Sequence, residues 1–139
     1  MSENNKNHPK GERKFKILTK KEIHETAKER VHLVAKKFTK GFDFIAKYPR
    51  SVTIFGGTHF SEDNSYYIKA KSLSSKIVND LNYAVFTGGG PGIMEAANRG
   101  AFEAGGESLG LSIELDPKQI QNPYLTDGID FYYFFSRKV

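Results

Sequence analysis

The sequence contains no cysteine and no long run of apolar residues. The absence of cysteine excludes disulfide bonds, thiolate catalysis and any metal site built on thiolate ligands. Without an apolar run of about 18 residues, the sequence offers no candidate for a membrane-spanning helix, and it shows no signal-peptide pattern. We therefore expect a cytoplasmic protein that has no membrane partner.

Lysine and arginine greatly outnumber acidic residues in the first third of the chain. Residues 1–50 hold 14 Lys or Arg and 6 Asp or Glu, a net charge of +8, whereas residues 51–139 hold 7 and 10, a net charge of −3. A basic segment is typical of nucleic-acid-binding proteins, but these lysines alternate with glutamates at helical spacing and lack an aromatic or arginine-rich surface. We expect a solvated helix face and no nucleic-acid partner.

The first 48 residues divide into a tail and a helix. Residues 1–14 are polar and contain Pro9 and Gly11, which predicts a disordered tail. Residues 15–48 form a helical extension, because a capping box at residues 19–22 precedes apolar residues at steps of three and four as far as about Lys40. This amphipathic stripe must pack on something, and it consists of Ile23, Ala27, Val31, Val34 and Phe38.

Residues 49–139 alternate strand and helix patterns and predict one domain. Apolar runs at residues 51–55, 83–87, 108–115 and 129–135 predict four strands. A helix beginning near Ser61 separates the first two, with an apolar face made of Tyr67, Ala70, Leu73, Ile77 and Leu81. A third helix ends at Gly105. This order predicts an α/β fold, a Rossmann-like doubly wound open parallel sheet that binds ligands beyond the carboxyl ends of its strands.

Two glycine turns follow the first two strands, at that same edge. Residues 88–92 contain four glycines between a strand and the helix that begins near Ile93. Glycine lets a backbone approach a ligand closely, and the N–H groups at the start of a helix attract phosphate. The alternative is a turn that serves only tight packing. The predicted phosphate- and nucleotide-binding residues are Gly56, Gly57, Thr58, Gly88, Gly89, Gly90 and Gly92.

The spacing of these glycines excludes two familiar nucleotide sites. A dinucleotide fingerprint starting at Gly88 or Gly90 needs a third glycine at position 93 or 95, and those positions hold Ile93 and Glu95. A Walker loop needs a Gly-Lys-Ser/Thr sequence, and no lysine follows the glycine cluster before Lys118. The remaining interpretation is an anion-binding turn of a size that suits a monophosphate or a sugar phosphate.

Residues 88–101 closely resemble the signature of the LOG (Lonely Guy) family, once labelled lysine decarboxylase-like. Three further blocks are similar to the family in the same order, namely residues 55–58, residues 110–115 and the residues from Asn122 to Lys138. The resemblance covers residues 50–139. It implies a phosphoribohydrolase, without a cofactor and as a homodimer, that cleaves the N-glycosidic bond of nucleoside 5′-monophosphates such as AMP or cytokinin riboside monophosphates.

The resemblance also implies roles for two charged residues. Arg137 matches the family's functional arginine, and Glu95 is a candidate catalytic carboxylate, because cleavage of the bond builds positive charge on the ribose. Glu95 has an alternative role in stabilising the start of its helix, and Glu114 is a weaker candidate for ribose contact. The four histidines lack metal-ligand spacing, so no metal is expected, although His59 lies beside the first glycine turn. No segment suggests the Schiff-base lysine that lysine decarboxylation requires.

One family feature is missing from the sequence. A Pro-Gly-Gly-x-Gly-Thr-x-x-Glu run, which supplies a phosphate-binding loop and the catalytic glutamate, normally follows the Arg-Lys pair, and this sequence reaches Val139 without it. We expect these 139 residues to be the N-terminal part of a longer, full-length protein, with a truncated sheet and little or no turnover on their own. The alternatives are a non-catalytic nucleotide-binding or cofactor-carrier module and, disfavoured by the glycine spacing, an NAD-dependent oxidoreductase.

Overall fold

The computed structural model describes residues 17–113 and 121–131. Its elements, in chain order, are α1 (Lys20–Ala46), β1 (Ser51–Thr53), α2 (Ser65–Leu81), β2 (Ala84–Thr87), α3 (Ile93–Glu103), β3 (Ser108–Ile113) and β4 (Asp127–Phe131). The predicted order of strands and helices is confirmed. The predicted tail and the last four residues of the predicted fourth strand lie outside the described residues.

The four strands form one parallel sheet in the order β1-β2-β3-β4. The register places Val52 opposite Val85, Phe86 opposite Leu109, and Leu111 opposite Ile129. Right-handed crossovers between consecutive parallel neighbours put α2 and α3 on one face, and α1 lies on the other. The α/β, Rossmann-like open sheet with an N-terminal helix is therefore confirmed. The carboxyl ends of β1, β2 and β3 meet at one edge.

Side chains that alternate along the strands build two cores. On the α1 face, Phe44 packs edge to face on Phe86 with ring centroids 6.0 Å apart, within a cluster that also holds Leu109, Leu111 and Phe131. On the opposite face, Val85 packs with Val78, Ala97 and Ala101 of α2 and α3. Small residues on α3 allow a close crossing, since a Cβ at Gly100 would collide with the carbonyl oxygen of Lys71. This crossing fixes where the start of α3 lies.

Helix α1 begins as expected but packs differently. Its capping box is present, with Glu22 N donating to Thr19 Oγ1 at 3.2 Å and Thr19 N donating to Glu22 Oε2 at 2.8 Å. The helix continues six residues past Lys40, and its buried residues are Gly41 and Phe44. Ile23 and Val31 of the predicted stripe are 54% and 70% exposed, so these residues do not pack on the sheet. Only the last turns of α1 reach the sheet, because the helix is much longer than the strands it covers.

Helix α2 starts later than predicted and turns a different face inward. It begins at Ser65, because the Asn64 side chain caps it by accepting a hydrogen bond from Tyr66 N at 2.9 Å. The predicted apolar face is wrong at Leu73 and Leu81, which are exposed, while Ser74 and Val78 are buried. The close crossing with α3 at Lys71, where a Cβ on Gly100 would collide with the carbonyl oxygen, accounts for the face that turns inward.

No helix in the described part of the chain is both long enough and apolar enough to cross a membrane.

Candidate functional site

The two glycine turns meet at the carboxyl edge of the sheet. The carbonyl oxygen of Gly57 accepts a hydrogen bond from Ile93 N at 3.0 Å, so the first turn caps the first amide of α3. Gly92 has φ +71°, and a Cβ on it would collide with the Gly57 oxygen and lie 2.9 Å from Thr58 Cα. A glycine is required at position 92 for both its conformation and its space. The structure therefore brings Gly57, Thr58 and Gly92 together, as the sequence predicted for turns at one edge.

The start of α3 keeps unpaired amides beside this contact. The first bond of the helical pattern runs from Ala96 N to Gly92 O at 2.9 Å, and no side chain caps the helix. Within residues 17–113 and 121–131, the N–H groups of Met94 and Glu95 have no acceptor. Unpaired amides at the positive end of a helix dipole form an anion-binding arrangement.

A buried polar network holds the second glycine turn. Gly89, at φ +72°, donates its N–H to Thr87 Oγ1 at 2.8 Å, and the Thr87 hydroxyl donates to Asn98 Oδ1 at 2.5 Å. Thr87 and Asn98 are both fully buried. The amide nitrogen of Asn98 donates to Ser108 Oγ at 2.9 Å and to Leu109 O at 3.4 Å. The turn is thus tied through α3 to strand β3.

Residues 121–125, here called the covering segment, lie against the same turn. Asn122 donates its backbone N–H to Gly89 O at 2.9 Å, and its side-chain amide donates to Gly90 O at 3.1 Å and to Asn98 Oδ1 at 2.9 Å. In a trans peptide the C=O and N–H groups point in opposite directions, so the bond to Gly89 turns the N–H of Gly90 away from the covering segment. The covering segment thereby orients a backbone donor of the glycine turn.

Glu95 lies in the first turn of α3 between the two helices. Tyr67 of α2 is 3% exposed and donates its hydroxyl to Glu95 Oε1 at 3.1 Å. Burial raises the pKa of Tyr67, and the nearby charge of Glu95 adds to the rise, so the phenol stays a protonated donor. The hydroxyl holds the carboxylate in one orientation beside the unpaired amides.

Arg99 joins the surrounding elements one turn further along α3. Its guanidinium contacts Glu62 Oε2 at 2.5 Å and Glu103 Oε1 at 2.8 Å, and it lies 5.2 Å from the ring centroid of Tyr124. These hydrogen bonds, that of Glu103 foremost, raise the pKa of Arg99 above its usual value. Arg99 therefore remains charged and links the turn before α2, helix α3 and the covering segment.

The predicted site residues differ in exposure. Gly56, Gly57 and Thr58 are exposed, Gly88 and Glu95 are partly buried, and Gly89, Gly90 and Gly92 are buried. Arg137 and Glu114 lie outside the described residues. Sequence reasoning missed Thr87, Asn98 and Asn122, although a polar residue inside an alanine-rich helix, as at Asn98, is a usable signal. Within the described ranges, no three His, Asp or Glu side chains form a group that could hold a metal ion.

A family sequence model and solved structures match this chain. The sequence model of the SLOG cluster4 family matches residues 49–132. Among solved structures, the chain is similar to TM1055, a target of the Northeast Structural Genomics Consortium, with 26% identity over 58% of this chain and a TM-score of 0.44. The chain spans 45% of the length of TM1055. No curated protein matches the sequence. Because the family match covers more than half of its residues, the chain belongs to the SLOG cluster4 family.

Proposed function

We propose that this chain binds a nucleoside 5′-monophosphate at the edge where its two glycine turns meet, as part of a protein that hydrolyses the N-glycosidic bond. The products are a free base and ribose 5-phosphate. The observation that carries the proposal is the hydrogen bond from Ile93 N to Gly57 O, which joins both turns beside unpaired helix amides. Membership of the SLOG cluster4 family and the resemblance of residues 88–101 to the LOG signature support it.

The phosphate-binding part of the proposal depends on donors. The N–H groups of Met94 and Glu95 are unpaired in the described structure, and Thr58 is exposed beside Gly92. Two amides and one hydroxyl suit the terminal oxygens of a single phosphate. The glycine cluster lacks the lysine that a Walker loop directs at triphosphates, so a monophosphate fits these donors better.

The hydrolytic part depends on a carboxylate near the ribose. Cleavage of the C1′–N bond develops positive charge on the sugar, which an ionised carboxylate stabilises or exploits by activating water. Glu95 Oε1 is engaged by Tyr67, and Glu95 Oε2 accepts no hydrogen bond from the described residues. In the proposal, Oε2 of Glu95 faces the substrate, and Arg137 has the role that the resemblance to the LOG family implies.

Titration and product analysis test the proposal together. We expect AMP to bind the purified chain in calorimetry, and the Thr58→Ala variant to bind AMP several-fold more weakly. Incubation of a full-length version with a panel of nucleoside monophosphates should release free base, measured by chromatography. A full-length protein that releases no base from any of them contradicts hydrolysis, and a chain that binds none contradicts the phosphate site.

A second candidate is a module that binds a nucleotide, or carries a cofactor, without hydrolysis. The hydrogen bond from Tyr67 to Glu95 favours it, because the carboxylate is partly engaged within the protein. Measuring base release alongside AMP binding distinguishes the two functions. AMP binding without base release, persisting in the full-length protein, would identify the binding module.

A further inference from the structure

Two aromatic rings lie beside the first glycine turn on its exposed side. The Phe60 ring packs on Gly57, where an added Cβ would lie 2.7 Å from Phe60 Cε2. The ring of Tyr66 is 5.9 Å from that of Phe60, with an angle of 69° between the ring planes. Tyr66 is 62% exposed, and Lys69 Nζ lies 5.8 Å from the centroid of its ring. This aromatic pair therefore presents apolar surface to solvent next to a cation.

The aromatic pair is held on an ordered turn. Asn64 N donates to Ser61 O at 3.0 Å, the Ser61 hydroxyl donates to Asp63 Oδ1 at 2.5 Å, and the Asn64 side chain caps the amide of Tyr66 at 2.9 Å. These bonds fix the chain between the two rings. A ligand that contacts the rings therefore finds them preorganised, which reduces the entropy lost on binding.

The aromatic pair and the unpaired amides are parts of one surface. Gly57 packs against the Phe60 ring and also accepts the hydrogen bond of Ile93 N. One residue thus separates an apolar stacking surface from an anion-binding helix start. A nucleotide has matching parts, since its phosphate is anionic and its base has two planar apolar faces.

We propose that Phe60 and Tyr66 form the base-binding subsite of this chain, where a purine stacks while its 5′-phosphate occupies the start of α3. This inference rests on the proposed function, because the phosphate fixes where the base can reach. Lys69 adds positive charge beside the stacking surface. Stacking tolerates every base because every base has a π face, so the subsite accepts several bases and favours the larger purines.

Paired titrations of two ligands isolate the contribution of the base. AMP and ribose 5-phosphate are titrated into the wild-type chain and into the Tyr66→Ala, Tyr66→Phe and Phe42→Ala variants. We expect AMP to bind the wild type about tenfold more tightly than ribose 5-phosphate, and Tyr66→Ala to remove about that factor from AMP alone. Tyr66→Phe keeps the ring and should retain the affinity. Phe42 is a matched control, because it is 53% exposed on α1, across the sheet.

The outcomes separate this subsite from the phosphate site. Equal affinity of AMP and ribose 5-phosphate for the wild type, or an equal loss of both in Tyr66→Ala, overturns the subsite and leaves the phosphate site intact. Failure of both ligands to bind the wild type overturns the proposed function and the subsite with it. Tighter binding of a single-stranded oligonucleotide than of AMP overturns a mononucleotide ligand. Circular dichroism of each variant verifies that a loss of affinity is not a loss of folding.

Discussion

The side-chain amide of Asn122 donates a hydrogen bond to Asn98 Oδ1 at 2.9 Å, across 24 positions of the chain. The same oxygen of Asn98 accepts a second hydrogen bond from the hydroxyl of Thr87. The NH₂ group of Asn98 donates to Ser108 Oγ and to the carbonyl oxygen of Leu109, so the side-chain amide uses all of its hydrogen-bonding capacity. Asn98 is the point at which the glycine turn, helix α3, strand β3 and the covering segment are joined.

Replacing Asn98 by leucine should destabilise the fold strongly. The hydroxyl of Thr87 and the amide of Asn122 would each lose a buried acceptor, and we expect the free energy of unfolding to fall by about 3 kcal/mol. Urea unfolding measures this change. Asn79→Leu is the matched control, because Asn79 is exposed on α2 and, within the described residues, its amide donates to Ser75 Oγ alone. Equal destabilisation by the two variants would show that the buried network contributes nothing specific.

Adding a methyl group at Gly92 should separate the two glycine turns. Gly92→Ala forces a side chain into a positive φ and against the oxygen of Gly57, so we expect both lower stability and loss of phosphate-ligand binding. Gly105→Ala provides the comparison, since Gly105 has φ +76° and a Cβ added to it would have no neighbour within 4 Å. Thermal unfolding and AMP titration measure the two effects. If Gly92→Ala behaved like Gly105→Ala in both assays, the contact between the turns would have no role in binding.

The ion pairs around Glu103 predict a defined dependence of stability on pH. The hydrogen bond from Lys71, followed by that from Arg99, lowers the pKa of Glu103 below its ordinary value of 4.5. The carboxyl of Glu103 therefore ionises at a lower pH in the folded state than in the unfolded state. The ion pairs stabilise the fold fully above pH 4.5, and this stabilisation is lost as the pH falls through the pKa of Glu103 in the folded state. We expect Glu103→Gln to lower the urea midpoint modestly at pH 7.

The same comparison at low pH tests the sign. Wild type and Glu103→Gln should converge in stability once the pH lies below the folded-state pKa of Glu103. Glu25→Gln serves as control, because Glu25 pairs with Lys28 at 3.5 Å and both side chains are more than half exposed, where an ion pair contributes little. A difference that stays constant from pH 7 to low pH would contradict the electrostatic origin.

Removing the hydroxyl of Tyr67 should lower the rate of base release through the orientation of Glu95, without changing the affinity for the nucleotide. Tyr67→Phe keeps the buried ring but removes the donor to Glu95 Oε1, so the carboxylate loses its fixed orientation. In a longer protein that hydrolyses the substrate, we expect base release to slow by about a hundredfold, the lower end of what a positioned acid–base group contributes, with AMP affinity unchanged. Tyr83→Phe is the control, because Tyr83 precedes β2, at the opposite end of that strand from the glycine turn. Unchanged turnover in Tyr67→Phe would show that Glu95 does not depend on this bond.

The order of the elements could be predicted from the sequence because each strand and helix has its own local pattern. The start of α2 could not, since Ser61, Asp63 and Asn64 are all good capping residues and only the structure shows that Asn64 caps. The inward face of α2 depends on how closely α3 crosses it at Gly100, which is a tertiary distance. Local periodicity therefore predicted Leu73 as buried where Ser74 is.

In the candidate site too, features set by local sequence could be predicted and features set by tertiary contacts could not. A strand, a glycine turn and a helix are consecutive in the sequence, so the turn at residues 88–92 was recognisable. Its contacts with Gly57, at 3.0 Å from Ile93 N, and with Asn122 join residues more than 30 positions apart. Those pairings depend on strand register and on the positive φ of Gly89 and Gly92, which no periodic pattern encodes.

Helix α3 begins without the side-chain cap that α1 and α2 both have. Loss of such a cap typically costs a helix about 1 kcal/mol, so this start is a weak point of the folded domain. A bound phosphate would complete the cap and bind only the folded state. The melting temperature should therefore rise with ligand concentration, by an amount equivalent to about 2.7 kcal/mol at a hundred times the dissociation constant. In this domain, the ligand would act as the missing part of a helix.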